Sequence, residues 1–72
     1  GGYIAAFYNQ KTRRTSYAWI LQGERVFGAD NTGGWHIHPW NMSTEHQPIP
    51  EPLTFEEFLH LAEQQAKRHS KE

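Results

Sequence analysis

Two histidines separated by one residue are the sharpest chemical feature of the sequence, in the segment Trp35-His36-Ile37-His38. Side chains two residues apart on a β-strand point to the same face, so His36 and His38 are predicted to share one surface. Imidazole titrates near neutral pH and can both take and give a proton, which suits general acid–base catalysis. It also binds zinc, nickel or iron, and His46, Asp30 or a glutamate would then supply the third ligand. The remaining alternative is that both histidines lie on a solvated strand face and have no chemical role.

Asp30 precedes the two histidines and is followed directly by Asn31. Asp and Asn are common turn residues, because their side chains hydrogen-bond to nearby backbone groups. The alternative is that the Asp30 carboxylate orients one of the histidines and fixes its tautomer. Both interpretations are compatible with the sequence.

Four cationic residues are candidates for holding an anionic substrate: Lys11, Arg13, Arg14 and Arg25. The first three belong to one short polar loop, and such loops are normally just solvated. If the loop folds over the histidines, its guanidinium groups would meet phosphate in paired hydrogen bonds and stabilise a developing negative charge. Five aromatic residues would either stack on the bases of single-stranded RNA or fill the core: Tyr3, Tyr8, Tyr17, Trp19 and Trp40.

The composition is that of one small domain without disulfides. The chain has 72 residues, no cysteine and a formal net charge of −1 when the histidines are neutral. The lack of cysteine excludes disulfides and thiolate metal sites and is typical of the reducing cytoplasm, and the low charge gives no overall attraction to nucleic acid or to an anionic membrane. No apolar run approaches the roughly 20 residues that span a bilayer. So short a chain has a thin core, and we expect oligomerisation, a histidine metal site or dense aromatic packing to support it.

The pattern of apolar and polar residues predicts an α+β fold, with a three- to four-stranded antiparallel sheet packed against one C-terminal helix. The predicted strands are 3–8, 16–22, 25–29 and 35–38. Gly28 inside the third strand indicates a bulge or a close backbone approach, and the three prolines within 41–52 predict a stiff extended connector. We expect a single domain over 3–69, with residues 1–2 a processing scar and residues 70–72 a frayed tail.

The helix has clear signals at its beginning. Thr54 and Glu57 have the spacing of a capping box, and Leu53 and Phe58 have the spacing of a hydrophobic staple. One apolar stripe at helical spacing is predicted to face the sheet, and it comprises Phe55, Phe58, Leu59, Ala62 and Ala66.

From Tyr17 onward, the chain resembles the TumE-like toxin family. The likeness is carried by residues 23–39, GERVFGADNTGGWHIHP, then by His46, a proline-bearing link and residues 53–59, LTFEEFL. In that family a strand ends in an Asp-Asn pair, which Asp30-Asn31 matches, and a histidine-rich segment and a short acidic amphipathic helix follow. The family consists of small toxins encoded beside a helix-turn-helix antitoxin in prokaryotic toxin–antitoxin modules. By analogy of fold, the resemblance implies kinship with compact ribonucleases that need no metal.

Together, these features lead to the hypothesis of a cytoplasmic, toxin-like protein that cleaves or binds RNA without a metal or other cofactor. The candidate catalytic residues are His36, His38, His46 and Asp30, and the candidate substrate-binding residues are Lys11, Arg13, Arg14 and Arg25. His36 or His38 would deprotonate the ribose 2′-hydroxyl and the other would protonate the leaving 5′-oxygen, while Arg13 or Arg14 steadies the phosphorane. The expected partners are RNA and a cognate helix-turn-helix antitoxin, with no membrane.

Two alternatives from other classes remain open. One is a small interaction module that pairs through its sheet with a partner or with its own copy as a homodimer, which the thin core and the many aromatic residues favour. The other is a histidine metal-binding protein.

Overall fold

The chain forms five antiparallel strands followed by one helix in a computed structural model that describes residues 1–42 and 44–69. The elements are β1 Gly2–Asn9, β2 Arg14–Leu21, β3 Glu24–Asp30, β4 His36–His38, β5 Gln47–Pro48 and α1 Phe55–Arg68. Their order across the sheet is the same as their order along the chain. Each strand therefore lies beside the next, and the predicted α+β arrangement is confirmed.

The first hairpin is tighter than the sequence predicted. Strands β1 and β2 pair from Gly2 opposite Leu21 to Asn9 opposite Arg14, so the expected loop over 9–15 shrinks to residues 10–13. The Asn9 side chain stabilises this turn, because its Oδ1 accepts hydrogen bonds from the backbone N–H groups of Lys11 and Thr12 at 3.0 and 3.1 Å. Gly2 is thus the first residue of β1, although the predicted domain began at residue 3. The predicted frayed tail over 70–72 lies outside the described residues.

Strand β5 was not predicted, and its proline explains why. The alternating prolines of the link indicated a connector without hydrogen-bonded partners, yet Gln47 pairs with Ile37 and Pro48 pairs with His36. Proline is tolerated on an edge strand, where its missing N–H faces outward and no ladder hydrogen bond is lost. This short pairing returns the link to the edge of the sheet, beside the histidines of β4.

Helix α1 begins and packs largely as predicted. Thr54 Oγ1 accepts a hydrogen bond from the Glu57 N–H at 3.1 Å, and Glu57 Oε1 accepts one from the Thr54 N–H at 2.9 Å, which completes the capping box. Phe58 is fully buried and stacks on Phe27 with ring centroids 5.4 Å apart. Phe58 and Ala62 of the predicted stripe are buried, whereas Phe55 and Leu59 are 41% and 40% exposed and Ala66 is exposed. Leu61, which the predicted stripe did not include, also packs against the core.

Strand alternation gives the sheet two faces with different contents. We call the side packed against α1 the helix face, and it carries the core residues Tyr17, Trp19, Phe27, Ala29 and Ile37. We call the other side the histidine face; by the register of β2, β3 and β4 it carries Ser16, Ala18, Gly28, Asp30, His36 and His38. The core therefore lies on one side of the sheet and the candidate chemistry on the other.

Tyr17 joins the helix to the sheet. Its ring lies 5.3 Å from the ring of Phe58 and 5.6 Å from that of Phe55, and its hydroxyl donates a hydrogen bond to the Leu53 carbonyl at 3.1 Å. Burial, together with the negative charge of Glu57, raises the pKa of Tyr17. Tyr17 is therefore part of the core, which was one of the two roles that the sequence left open.

Other aromatic residues divide between core and surface. Trp19 packs against Trp40 with ring centroids 5.2 Å apart, and both rings lie against the core. On β1, by contrast, Tyr3 and Tyr8 are each 62% exposed and Phe7 is 56% exposed. Self-association through the sheet stays a prediction, and these exposed residues on β1 are where it would occur. Within the described part of the chain, no helix is long and apolar enough to cross a membrane.

Replacing Tyr17 with Phe removes the hydroxyl and keeps the ring. We expect the free energy of unfolding to fall by about 0.5–1.5 kcal/mol, the usual net value of one hydrogen bond. Urea denaturation followed by circular dichroism measures this change. The control is Tyr3→Phe on the exposed surface of β1, which should leave stability unchanged. Equal stability of Tyr17→Phe and the native chain would contradict the role assigned to this hydroxyl.

Candidate histidine–aspartate site

The pairing of β3 with β4 brings Asp30, His36 and His38 together. His36 lies directly opposite Asp30 in the ladder, and His38 lies opposite Gly28. Directly opposed residues of an antiparallel pair share a face, so all three side chains lie on the histidine face. His36 is 9% exposed and His38 is 5% exposed. The two imidazoles share a surface, as strand alternation predicted, but they are buried in it and do not project into solvent.

One carboxylate contacts both imidazoles. Asp30 Oδ1 lies 3.2 Å from Nε2 of His36, and Asp30 Oδ2 lies 2.9 Å from Nε2 of His38. Asp30 Oδ1 also accepts a hydrogen bond from the backbone N–H of Thr32 at 3.0 Å. Asp30 therefore serves both functions that the sequence offered as alternatives, since it caps the turn and it orients the histidines.

The pKa of Asp30 reflects these contacts. Burial by itself acts to raise the pKa of the carboxyl group. The hydrogen bond from His38, that from the Thr32 N–H and the charges of His36 and His38 act in the opposite direction and outweigh burial. The pKa of Asp30 is consequently lowered, and the group is a carboxylate at neutral pH.

The tautomers follow from the oxygen atoms that surround each ring. A carbonyl oxygen only accepts, so Nδ1 of His36, which lies 2.9 Å from the Gly34 carbonyl, must carry a proton. In the neutral ring the lone pair of His36 Nε2 then faces Oδ1 of the Asp30 carboxylate at 3.2 Å. His38 donates from Nε2 to Asp30 in its neutral form, and its Nδ1 is buried without a hydrogen-bond partner.

His46 completes the cluster, and strand β5 places it there. The β4–β5 register pairs His36 with Pro48, and its continuation by two residues sets His46 opposite His38. The His46 ring stacks on His36 at a centroid distance of 4.7 Å and an interplanar angle of 10°, and it lies 4.6 Å from the ring of His38. The sequence left open whether His46 joins the other two histidines, and the structure brings all three together. His46 is exposed, unlike the pair beneath it.

Arg25 is the predicted cation that lies on the histidine face. A Cβ atom added to Gly28 would lie 3.1 Å from Cδ and 3.7 Å from Nε of Arg25, so the Arg25 side chain crosses over Gly28. Gly28 in turn lies opposite His38. The nearest atom to this Cβ would be the backbone oxygen of Tyr17 at 3.0 Å, so the predicted close backbone approach is present and the arginine side chain passes beside it. A side chain at this position would displace that arginine.

The hairpin-tip cations lie elsewhere. Lys11, Arg13 and Arg14 are exposed, and in the described part of the chain no contact joins their side chains to a histidine. The tip is attached to the site through Asn31, whose Nδ2 donates to the Arg13 carbonyl at 2.9 Å. Asn31 Oδ1 also accepts from the Thr15 N–H at 2.9 Å. Asn31 therefore has a structural role, because it joins the hairpin tip to the end of β3. The sequence identified the Asp-Asn pair but did not distinguish this structural role of Asn31 from the contact of Asp30 with the histidines.

Two partners of the site come from the backbone, and no side-chain pattern indicated them. The carbonyl of Gly34 fixes His36, and the N–H of Thr32 fixes Asp30. Both belong to the turn between β3 and β4, in which Gly33 and Gly34 have φ angles of 70° and 109°. These left-handed conformations favour glycine, so the glycine pair of the turn is what allows it to hold the site.

The chain has no match among the family models, the curated proteins or the solved structures with which it was compared. The resemblance to TumE-like toxins therefore stays a prediction. What the geometry offers is three imidazoles, one carboxylate and one nearby arginine on a single sheet face.

The lowered pKa of Asp30 makes stability depend on pH in a defined direction. A depressed folded-state pKa contributes stability above the unfolded value of about 3.9, and this contribution is lost as the pH falls through the folded-state pKa. Asp30→Asn should therefore be less stable than the native chain at pH 7, and the difference should shrink below about pH 4. Thermal melts from pH 7 to pH 3 measure it.

The matched control is Glu51→Gln, which removes an exposed carboxylate from the link. It should follow the native melting curve at every pH. An Asp30→Asn chain that melts with the native chain at pH 7 would show that the carboxylate contacts contribute nothing to the fold.

Proposed function

We propose that this protein is a toxin-like enzyme that cleaves RNA by general acid–base catalysis, without a metal, in the cytoplasm. The observation that carries the proposal is the cluster of three imidazoles, two of which contact Asp30, on the sheet face that the helix does not cover. Acid–base cleavage of RNA needs one group that removes a proton and one that supplies a proton, and imidazole serves both purposes near neutral pH.

The proposed reaction is an internal transfer of the phosphate. One imidazole takes the proton of the ribose 2′-hydroxyl, and the 2′-oxygen forms a bond to phosphorus. The bond from phosphorus to the 5′-oxygen then breaks, and a second, protonated imidazole gives its proton to that oxygen. The products are a 2′,3′-cyclic phosphate and a free 5′-hydroxyl, so atoms and charges balance without a further reagent.

We assign different roles in the reaction to the three histidines according to how deeply each is buried. His46 is exposed and stacks on His36, so His46 is the ring that a substrate meets first and His36 lies directly beneath it. We assign the two proton transfers to His46 and His36, which revises the hypothesis that paired His36 with His38. His38 is more deeply buried and hydrogen-bonded to Asp30, and we assign it a positioning role.

Charge supports this division. A proton taken up at Nε2 of His36 would lie 3.2 Å from Oδ1 of Asp30, where the carboxylate stabilises the imidazolium. The arginine on the same face is Arg25, so we assign it the stabilisation of the phosphorane in place of Arg13 or Arg14. Lys11, Arg13 and Arg14 would then contribute to RNA binding only from the edge of the sheet.

Loss of His46 tests the proposal with little risk to the fold, because its side chain is exposed. We expect the native chain to cleave single-stranded RNA in the presence of EDTA. His46→Ala should reduce the rate by about 10²–10⁴-fold, the usual contribution of a positioned acid or base. The measurement is the appearance of 2′,3′-cyclic phosphate ends on a labelled RNA.

His60→Ala is the matched control, because it removes an exposed histidine of α1 outside the cluster. It should cleave at the native rate. If the native chain releases no cyclic phosphate, or if His46→Ala cleaves as fast as His60→Ala, the proposed function is wrong. The toxin role adds that expression of the native chain arrests growth and that a cognate helix-turn-helix antitoxin relieves the arrest.

A further inference from the structure

We infer that His36, His38 and His46 form a binding site for one divalent transition-metal ion of the zinc class. Each of the three offers one ring nitrogen, and these atoms all lie within 4.8 Å of one another. The inference stands on this geometry and does not depend on RNA cleavage.

Distances decide whether an ion fits. Two imidazole nitrogens bound to one tetrahedral ion at about 2.1 Å lie roughly 3.4 Å apart. The present separations of up to 4.8 Å therefore require the ligand atoms to move together by roughly 1–1.5 Å. His46 can make this movement, because it is exposed and precedes the two-residue strand β5. His36 and His38 are fixed by the β3–β4 ladder and supply the rigid half of the site.

The groups around the rings are those that hold metal-binding histidines in place. A histidine ligand typically donates its other ring N–H to a carbonyl or a carboxylate, which fixes the ring and raises its basicity. Here the Gly34 carbonyl accepts from Nδ1 of His36 and leaves Nε2 as the nitrogen that can bind an ion. Asp30 lies against Nε2 of both His36 and His38, so it adds a negative charge beside the ion.

When all three rings are neutral, two ring nitrogens of the cluster have no suitable hydrogen-bond partner. The lone pair of His36 Nε2 then faces a carboxylate oxygen at 3.2 Å. Nδ1 of His38 is buried without a partner, and a buried unsatisfied polar atom costs roughly 1–3 kcal/mol of stability. A bound cation relieves the first of these directly, and ligation through Nδ1 of His38 would relieve the second while Nε2 keeps its hydrogen bond to Asp30.

The ligand types select the ion. Imidazole nitrogen suits zinc, copper, nickel and cobalt, whereas magnesium and calcium prefer oxygen ligands. With three imidazoles and one carboxylate, the cluster should bind Zn²⁺ or Co²⁺ and should not bind Mg²⁺. An imidazole lone pair that binds the ion cannot accept a proton, so Zn²⁺ should also inhibit the proposed RNA cleavage.

The test measures binding directly on the full chain, dialysed against EDTA and then freed of it. Isothermal titration with Zn²⁺ should give one ion per chain with a dissociation constant of about 1 µM or tighter. Co²⁺ should give the visible absorption of a site with nitrogen ligands. Mg²⁺ should give no heat of binding.

His46→Ala should weaken Zn²⁺ binding by more than about 100-fold, and Asp30→Asn should weaken it by about 10–100-fold, the usual effect of losing a supporting carboxylate. His60→Ala, the exposed control on α1, should bind as the native chain does. The inference is overturned if the native chain binds Zn²⁺ no better than about 1 mM, or if His46→Ala and His60→Ala bind it equally well. Because no RNA is present in this titration, its failure would leave the proposed function to be tested separately by RNA cleavage in EDTA.

Discussion

The site depends on one carboxylate that two buried imidazoles share. Asp30 contacts Nε2 of His36 at 3.2 Å and Nε2 of His38 at 2.9 Å, and it is held in turn by the N–H of Thr32. Burying two imidazoles in a domain this small is unfavourable unless their polar atoms find partners. Asp30 contacts one nitrogen of each ring from the end of β3, and the pairing of β3 with β4 is what keeps the three groups in register.

The two faces of the sheet have different roles, since one packs against the helix to form the core and the other carries the candidate site. On the helix face, Phe58 and Ala62 of α1 pack against Phe27 and Ala29 of β3 and form the buried core. Strand β3 therefore contributes to both sides, because Ala29 faces the core and its neighbour Asp30 faces the histidines. This arrangement places the site directly behind the best-packed part of the domain, which gives the chemical groups a rigid support. The exposed His46, which directly precedes the short edge strand β5, is the adjustable member of the cluster.

The sequence predicted the parts of this structure that depend on local periodicity. The capping box of Thr54 and Glu57, the strand positions and the shared face of His36 and His38 all follow from spacing along the chain. It could not predict β5, because Pro48 indicated an unpaired connector, and so it left open whether His46 joins His36 and His38. It named Arg25 among the candidate cations, but it could not show that the Arg25 side chain lies over Gly28, because this depends on the pairing of β2 with β3, whose register shifts between Trp19 and Ile20. Each of these features depends on pairing between strands, which joins residues that are distant in the sequence.

The tautomers of the two buried histidines are the most direct observable of the shared carboxylate. Long-range ¹⁵N–¹H correlation spectra of the imidazole rings report which nitrogen of each ring carries a proton. In the metal-free native chain near pH 7.5, His38 should be protonated at Nε2, and Nδ1 of His36 should carry a proton. In Asp30→Asn the His38 pattern should change, whereas Nδ1 of His36, which donates to the Gly34 carbonyl, should stay protonated. A His38 ring that averages between tautomers, with a spectrum unaffected by Asp30→Asn, would contradict the central role of Asp30.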